Sequence, residues 1–591
     1  MNIMLNTNSP KKLWNFFWYF YKQYKISIIF FIIFTSLLGL HGLVNSYCTK
    51  IIIDKLVVLQ NKTFLMSQIL WPSVFIVSGY IVYNTCWRLV NYINYKVAPI
   101  IKNNVISYVF NYIHSQSQRF FQDNLTGSIS NNIVTLSDNI ERISSILSGR
   151  IIRGVTQLFA AILSMYFINP IFSALLLVWV ICFSYISMIY SKKIVRFSND
   201  YAQSQAYVSG KIVDSIANFL NVKIFARANF EFLYLQQSLN FMKEKFQNKE
   251  WFLIKFYFLQ GVSITCFIGA VIYFLIKLNI NNHISIGDFA FILSLSFYII
   301  ESVWSITEHV DQMNDAIGKC NQCLKKLFTP IEIKNNNQSK SLVVKHGKII
   351  FDKVQFYYKD TEPLFQNKTV IIQPGEKIGL VGYSGSGKTT FINLLLRLYD
   401  VISGRILIDG HDVCEVTQDS LHSAIGIIPQ DPSLFHRSIM ENIRYGLLDA
   451  TDHEVIEAAK YANIDEFIVK LSQGYKTLVG ERGIKLSCGQ RQRIAIARII
   501  LKKPQILILD EATSQLDSIT ENTITNALSK LMQGKTTLVI AHRLSTLLNM
   551  DRIFVFEQGK IIENGKHTDL LEKKGLYRAL WDAQIRGCLP Y

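Results

Sequence analysis

The sequence predicts an all-α bundle of six membrane spans with long cytoplasmic helical extensions, followed by an α/β domain on a largely parallel sheet. Three observations carry this reading. First, the 591 residues are 50% hydrophobic and only 18% charged, whereas about a quarter of a soluble chain is charged. Second, six stretches approach the roughly 20 apolar residues that cross a bilayer, and none occurs after residue 309. Third, from about residue 345 short β-rich runs such as KIGLVG, GRILIDG, QILILD and TTLVIAH alternate with helical stretches, the pattern of a parallel sheet.

A mean hydropathy of +0.22 excludes a disordered chain, a coiled-coil rod and a small disulfide scaffold. The net charge of +18 raises nucleic acid as a partner of a soluble protein, but in a membrane protein it reflects basic cytoplasmic flanks. The nine cysteines show no paired spacing that suggests a disulfide framework. Cys320 and Cys323 form a lone C-x-x-C, which reads as two small residues on one helical face, since a structural zinc site takes four ligands.

Lys11, Lys12, Lys22 and Lys25 surround Trp14, Phe17 and Trp18 ahead of a long apolar run without a small-residue cleavage site. This predicts an interfacial helix rather than a removable signal peptide. The spans follow at about 26–48, 69–90, 154–169, 171–190, 256–276 and 287–309, the third one short. Asn169-Pro170 predicts a tight turn between the third and fourth. That turn has no basic residue and the 277–286 loop only Lys277, whereas 191–255 holds Lys192, Lys193, Arg196, Lys211, Lys223 and Arg227. The longer segments, 91–153 and 191–255, and both termini are therefore expected in the cytoplasm. At about 1.5 Å per residue, antiparallel helices of some 30 residues reach roughly 40 Å beyond the membrane. The polar stretch IEIKNNNQSKS reads as a linker, dividing the chain into a membrane domain at 1–330, a linker at 331–344 and a second domain at 345–591.

In the second domain the run Ile378 to Val381 leads into GYSGSGKTT at 382–390 and then into FINLLLRLY. A strand, a G-x-x-x-x-G-K-[ST] loop and a helix form the setting in which backbone N–H groups and a helix N-terminus cradle phosphates. Gly382, Gly385 and Gly387 allow the loop to turn, with Ser384, Ser386 and Thr390 completing it. Lys388 is placed to reach the β- and γ-phosphates, and Thr389 to hold Mg²⁺. QILILD ends in Asp510 and is followed by Glu511, setting two carboxylates at the edge of the sheet where the loop lies. Asp510 suits the Mg²⁺ shell and Glu511 the polarising of the attacking water. TTLVIAH brings His542 to the same edge, where a neutral imidazole suits the γ-phosphate and the water.

With LSCGQRQRIAIAR at 486–498, ILILDEATSQLD at 506–517 and VIAHRLST at 539–546, the chain resembles an ABC transporter, and the six spans make it similar to an exporter-type half-transporter. The resemblance implies an ABC ATPase domain using ATP and Mg²⁺. It makes Gln430 in IIPQDPSLF the residue linking Mg²⁺ to the membrane domain and Tyr358 the aromatic stacked on adenine, with Tyr357 as the other candidate. Ser487, Gly489 and Gln490 become the signature that covers the γ-phosphate of a second domain. Asp517 ends a D-loop-like segment, and TLVGERG at 477–483 resembles an exporter-specific loop. FFQDNLTGSISNNI at 120–133 and NFLNVKIFARANFE at 218–231 resemble intracellular coupling regions. One departure is Cys488, where the family's LSGGQ has glycine.

The implied function is ATP-driven export of a hydrophobic or amphipathic substrate, such as a drug, lipid or peptide, by alternating access of a dimer. The dimer is expected to be two copies of this chain, with a related half-transporter as the other partner. The lipid bilayer, here a bacterial cytoplasmic membrane, surrounds it. An exporter-fold importer of a metal chelate is the alternative, and a non-transport ATPase acting on nucleic acid is opposed by the six spans. Glu301 lies about 14 residues, or roughly 21 Å, along its helix from Gly287. A carboxylate at that depth is expected to line a cavity or to pair with a base such as Arg88.

Overall fold

The computed structural model describes residues 12–58, 62–124, 126–335, 339–359, 361–510, 518–541 and 543–586. The chain divides into two units, Met1–Ser115 with Phe121–Pro330, and Gln116–Phe120 with Ile331–Tyr591. Both the six apolar helices and the sheet-containing domain predicted from the sequence are present.

The helices of the first 330 residues are α1 (Leu13–Tyr21), α2 (Lys25–Val58), α3 (Lys62–His114), α4 (Gln118–Asp123), α5 (Thr126–Ile146), α6 (Ile152–Ile168), α7 (Pro170–Ala217), α8 (Phe219–Ile224), α9 (Ala228–Ile280) and α10 (Ile286–Leu327). α1 buries Phe16, Phe20 and Tyr21 and leaves Trp14 and Trp18 exposed, an amphipathic division suited to an interface. Phe172, Leu176 and Trp179 of α7 pack with Phe267 and Leu275 of α9 and with Phe291 and Leu295 of α10. Large apolar side chains also point outward, with Phe167 at 77% and Phe258 at 75% exposure. Such surfaces are stable against lipid and not against water.

Asn169 stands extended at φ −158° and its side chain accepts from the Ile171 N–H at 3.0 Å, with Pro170 opening α7. The turn therefore has both an N-cap and the residue that tolerates having no N–H. Ser285 and Asp288 form a capping box at the start of α10. Lys50 pairs with Asp288 at 2.5 Å and Asp54 accepts from the Gly287 N–H at 2.8 Å, pinning α2 to α10. The third span is not an isolated short helix: a π turn at Leu147–Ile151 joins α5 and α6 into a helical rod over Thr126–Ile168. The segment 120–133 holds the end of the short helix α4 and the start of α5, and 218–231 contains the short helix α8, set between α7 and α9.

The elements of the second unit are β1 (Ile349–Phe356), β2 (Phe365–Ile372), β3 (Lys377–Val381), α11 (Lys388–Leu395), β4 (Ser403–Ile408), β5 (His411–Asp412), α12 (Gln418–Ala424), β6 (Ile425–Ile428), α13 (Ile439–Arg444), α14 (Asp452–Tyr461), α15 (Asp465–Val469), α16 (Cys488–Lys502), β7 (Ile506–Asp510), α17 (Ser518–Met532), β8 (Thr536–Ile540), β9 (Arg552–Glu557), β10 (Lys560–Gly565), α18 (His567–Glu572) and α19 (Leu576–Arg586). One sheet has the order β2-β1-β4-β5 and is antiparallel; the other runs β10-β9-β3-β8-β7-β6, parallel except for the β9–β10 pair. Both faces of β7 are covered: Ile506 and Ile508 enter one apolar cluster, Leu507 and Leu509 another. This is why QILILD is apolar at every position rather than at alternate ones. In register, Asp510 stands opposite Ile540 of β8, and Leu380 of β3 is opposite the same residue. The carboxyl ends of β3, β8 and β7 therefore share one edge.

Candidate functional site

At that edge the chain leaves β3 through Gly382, at φ +146°, where an added Cβ would meet the Phe556 carbonyl oxygen at 2.2 Å. Only glycine fits there. Gly387, at φ +105°, is the N-cap of α11, a left-handed position that again favours glycine. The loop thus closes around the N-terminus of α11. Lys388, the first residue of that helix, is buried and donates from Nζ to the carbonyls of Gly382 at 2.7 Å and Tyr383 at 2.9 Å. Its ammonium is held inside the loop, where a phosphate chain would find both it and the helix dipole.

Ser384, Gly385, Ser386, Gly387, Lys388, Thr389 and Thr390 line a cleft of about 710 Å³ together with Tyr358, Gln430 and Ile540. The structure therefore brings the loop, Gln430 and the aromatic candidate into one cavity. Tyr358 Oη lies 3.0 Å from Thr390 Oγ1, and the ring meets Tyr399 edge-on. Tyr357 is exposed and is not part of the lining. Asp510 ends β7, which is separated from β3 by β8 alone. Glu511, His542 and Asp517 lie outside the described residues. A hydroxyl on Thr389, an amide on Gln430 and a carboxylate on Asp510 are all-oxygen donors of the kind that Mg²⁺ takes.

Ser487, Gly489 and Gln490 stand apart from this lining. Ser487 caps α16: its Oγ accepts from the Gln490 N–H at 3.3 Å, and the Gln490 side chain accepts from the Ser487 N–H at 2.9 Å. Cys488 is the first residue of α16 and half-buried. Arg491 on the same helix pairs with Asp431, the neighbour of Gln430, at 3.0 Å.

Some residues of the cleft are not singled out by the motifs. Thr361, Glu362 and Leu364 join its lining; their signal was nearness to Tyr358 in YYKDTEPLF. Lys368 supports the loop from behind. It is only 8% exposed, its Nζ donates to the Gly559 carbonyl at 2.5 Å, and it stands 4.4 Å from the ring centroids of Phe365 and Phe556. Gly559 in turn donates to the Ser386 carbonyl of the loop at 3.0 Å.

Burial pushes the Lys368 ammonium down to about 7, against the pull of the carbonyl and the two rings. The folded state then binds fewer protons than the unfolded state between about pH 7 and the usual lysine value, so stability contributed here rises with pH through that window and its cost is fully present below it. Relative to Lys368→Met, the wild type is expected to gain apparent Tm between pH 6.5 and 9, on the order of 1–2 kcal/mol in stability. Parallel thermal melts at the two pH values check this; a constant difference removes the assigned titration.

In the membrane unit, Glu301 lines a cavity of about 260 Å³ with Trp87, Arg150, Arg153, Gln157 and Tyr298. Among the described residues it forms no ion pair within 4 Å, with Arg88 or any other base. The cavity expectation therefore describes this carboxylate better than the pair.

The profile of the ABC transporter transmembrane region matches residues 28–303 and that of the ABC transporter matches 365–514. An uncharacterized ABC transporter ATP-binding protein of Haemophilus influenzae is 36% identical over 486 residues, 80% of this chain and 78% of that protein. ATP-binding cassette sub-family B member 6 of Xenopus tropicalis is 35% identical over 83% of this chain, which spans 58% of that longer protein. A Staphylococcus aureus protein provisionally named a multidrug export ATP-binding/permease protein is 34% identical, covering 80% of this chain and 82% of its own length. A solved bacterial Atm1-family ABC exporter with ATP bound superposes with a TM-score of 0.87 at 28% identity, covering 95% of this chain and 98% of its own. A membrane region and a phosphate-loop cleft joined in one chain, with relatives alike in both parts, make this protein a multi-pass membrane ATPase coupled to transport that belongs to the ABC transporters of exporter half-transporter type.

Proposed function

We propose that two copies of this chain form an exporter that moves a hydrophobic or amphipathic substrate out of the cytoplasm at the expense of ATP. The observation that carries the dimer is the separation of the loop cleft from the signature residues. Ser487, Gly489 and Gln490 are ordered at the start of α16 yet do not line the cleft of their own chain. A second copy presenting the same three residues supplies the missing cover of the γ-phosphate. Thr389, Gln430 and Asp510 would hold Mg²⁺, which neutralises phosphate charge when bound. Glu511 acts as the general base and His542 positions the water. Closure passes through Gln430 and the segments around α4 and α8 to the spans.

We read both termini and the ATPase domain as cytoplasmic, a reading supported by the basic asymmetry of the loops, and the membrane as a bacterial inner membrane. We assign the membrane domain to 1–330, the linker to 331–344 and the ATPase domain to 345–591. The polar cavity around Glu301 supplies the substrate's polar contacts, since an unpaired carboxylate at membrane depth is otherwise costly. The names of the multidrug and Atm1-family relatives agree with the outward direction.

The test is transport by the purified protein in liposomes. ATP added outside reaches only molecules whose ATPase domain faces out, and these are expected to accumulate a fluorescent amphipathic dye inside. Loss of preloaded dye from the same vesicles, with no accumulation, would reverse the assigned direction.

A further inference from the structure

A second cavity lies under α1; it shares no lining residue with the one around Glu301, although both border the turn at 147–153. Its volume is about 190 Å³, and its walls come from α1, α2, α3 and the α5–α6 rod. Phe17, Trp18 and Tyr21 form the roof, with the Phe17 and Tyr21 rings stacked at 4.2 Å. Trp18 is 55% exposed, so the roof covers the cavity only in part. Ile28, Phe31 and Ile32 of α2 make one side apolar.

Against this apolar wall stands Glu141. Apart from the tyrosine of the roof it is the only ionisable residue in the lining, and among the described residues it makes no ion pair within 4 Å. Ser145 and Ser148 also border the cavity, but their hydroxyls donate to the carbonyls of Arg142 and Ser144. The protons of these two hydroxyls are thus used on backbone carbonyls. The π turn at Leu147–Ile151 brings Leu147 and Ser148 to this wall, and such turns recur at functional sites. Aromatic faces, a carboxylate and hydroxyl oxygens attract a cation. No base is among the lining residues to receive a phosphate or carboxylate, and Lys102, which lies near Glu141, is paired with Asp138 at 2.6 Å.

We infer that this cavity binds a small lipophilic cation, its ammonium between Glu141 and the aromatic roof and its apolar tail along α2. The site does not depend on the direction of transport or on the dimer. It lies at the interfacial helix, where amphipathic cations concentrate when they enter a membrane.

The experiment uses the full chain in phosphatidylglycerol nanodiscs without ATP and a diazirine-bearing octyltrimethylammonium probe, with adducts mapped by peptide mass. The expected adducts fall on the peptide carrying Phe17, Trp18 and Tyr21. Labelling should drop about tenfold in Glu141→Gln and in Trp18→Ala, persist in Glu141→Asp, and be unchanged in Glu301→Gln. An octyl sulfate probe with the same diazirine should leave this peptide unlabelled. Basal ATPase activity of the Glu141 and Trp18 variants establishes that they are folded, and a thermal melt does so for Glu301→Gln. Equal labelling of wild type and Glu141→Gln, or equal labelling by the sulfate probe, overturns the proposal. Loss of labelling when phosphatidylcholine replaces phosphatidylglycerol would give the site to a zwitterionic lipid and likewise overturn it. Transport that fails in liposomes while this labelling holds would count against the exporter reading alone.

Discussion

Lys388→Ala is expected to weaken ATP binding on the order of a hundredfold or more and to reduce ATPase activity to background. The ammonium is buried and already held by two loop carbonyls at 2.7 and 2.9 Å, so its position is fixed before the nucleotide arrives. Phosphate oxygens then gain a preorganised charge in a cleft of low dielectric, where a charge-assisted hydrogen bond counts for about twice a neutral one. Removing the ammonium also leaves the Gly382 and Tyr383 carbonyls facing an anion with nothing between. Lys388→Arg should not rescue binding, because the planar guanidinium cannot occupy the compact position of the ammonium. Titration with a fluorescent ATP analogue checks both variants. A Kd within about threefold of the wild type for Lys388→Ala would remove the loop lysine from phosphate recognition.

The loop was legible because its chemistry demands residues that nothing else requires together. Gly382 is glycine for a measurable reason, the Phe556 carbonyl at 2.2 Å from any added Cβ, and Lys388 follows at the helix start. The six spans were legible for an equally plain reason, since a bilayer accepts only long apolar helices. Where the sequence reading fell short, local geometry had broken a simple period. The third span looked short because the π turn at Leu147–Ile151 passes Gly149 and Arg150 through the rod without ending it.

Lys368 shows the same effect in a strand. Alternation from Phe365 would turn position 367 inward and 368 outward. Asn367 instead takes φ +50°, and the strand buries Phe365, Lys368, Val370 and Ile372. A lysine with two outward-looking neighbours thus reaches the interior, and no periodic rule could have placed it there. The contacts of Arg498 with Asn442 and Ser433 were hidden for a different reason. They join positions more than fifty residues apart by side-chain geometry alone, and burial there pulls the guanidinium down to about 10.

Glu511→Gln is expected to leave ATP binding intact while slowing hydrolysis by about 10²–10⁴-fold. The carboxylate follows Asp510 directly, and Asp510 ends β7 at the edge that β8 shares with the loop strand. An amide keeps the shape and the hydrogen bonds of the side chain but cannot take the proton of the attacking water. Binding and closure should therefore proceed, and reopening should stall, because hydrolysis is the step that lowers the affinity of the closed state. Cys488 reports this closure. It opens α16 beside the signature residues, half-buried in the single chain, and the proposed dimer covers that surface. In the Glu511→Gln background, ATP is expected to protect Cys488 from a bulky thiol reagent, and Lys388→Ala in the same chain should abolish the protection. Equal labelling with and without ATP would mean that α16 does not meet a second copy when nucleotide binds, and the two-chain site would have to be abandoned. Near wild-type turnover in Glu511→Gln would instead leave the dimer standing and move the general base to another residue.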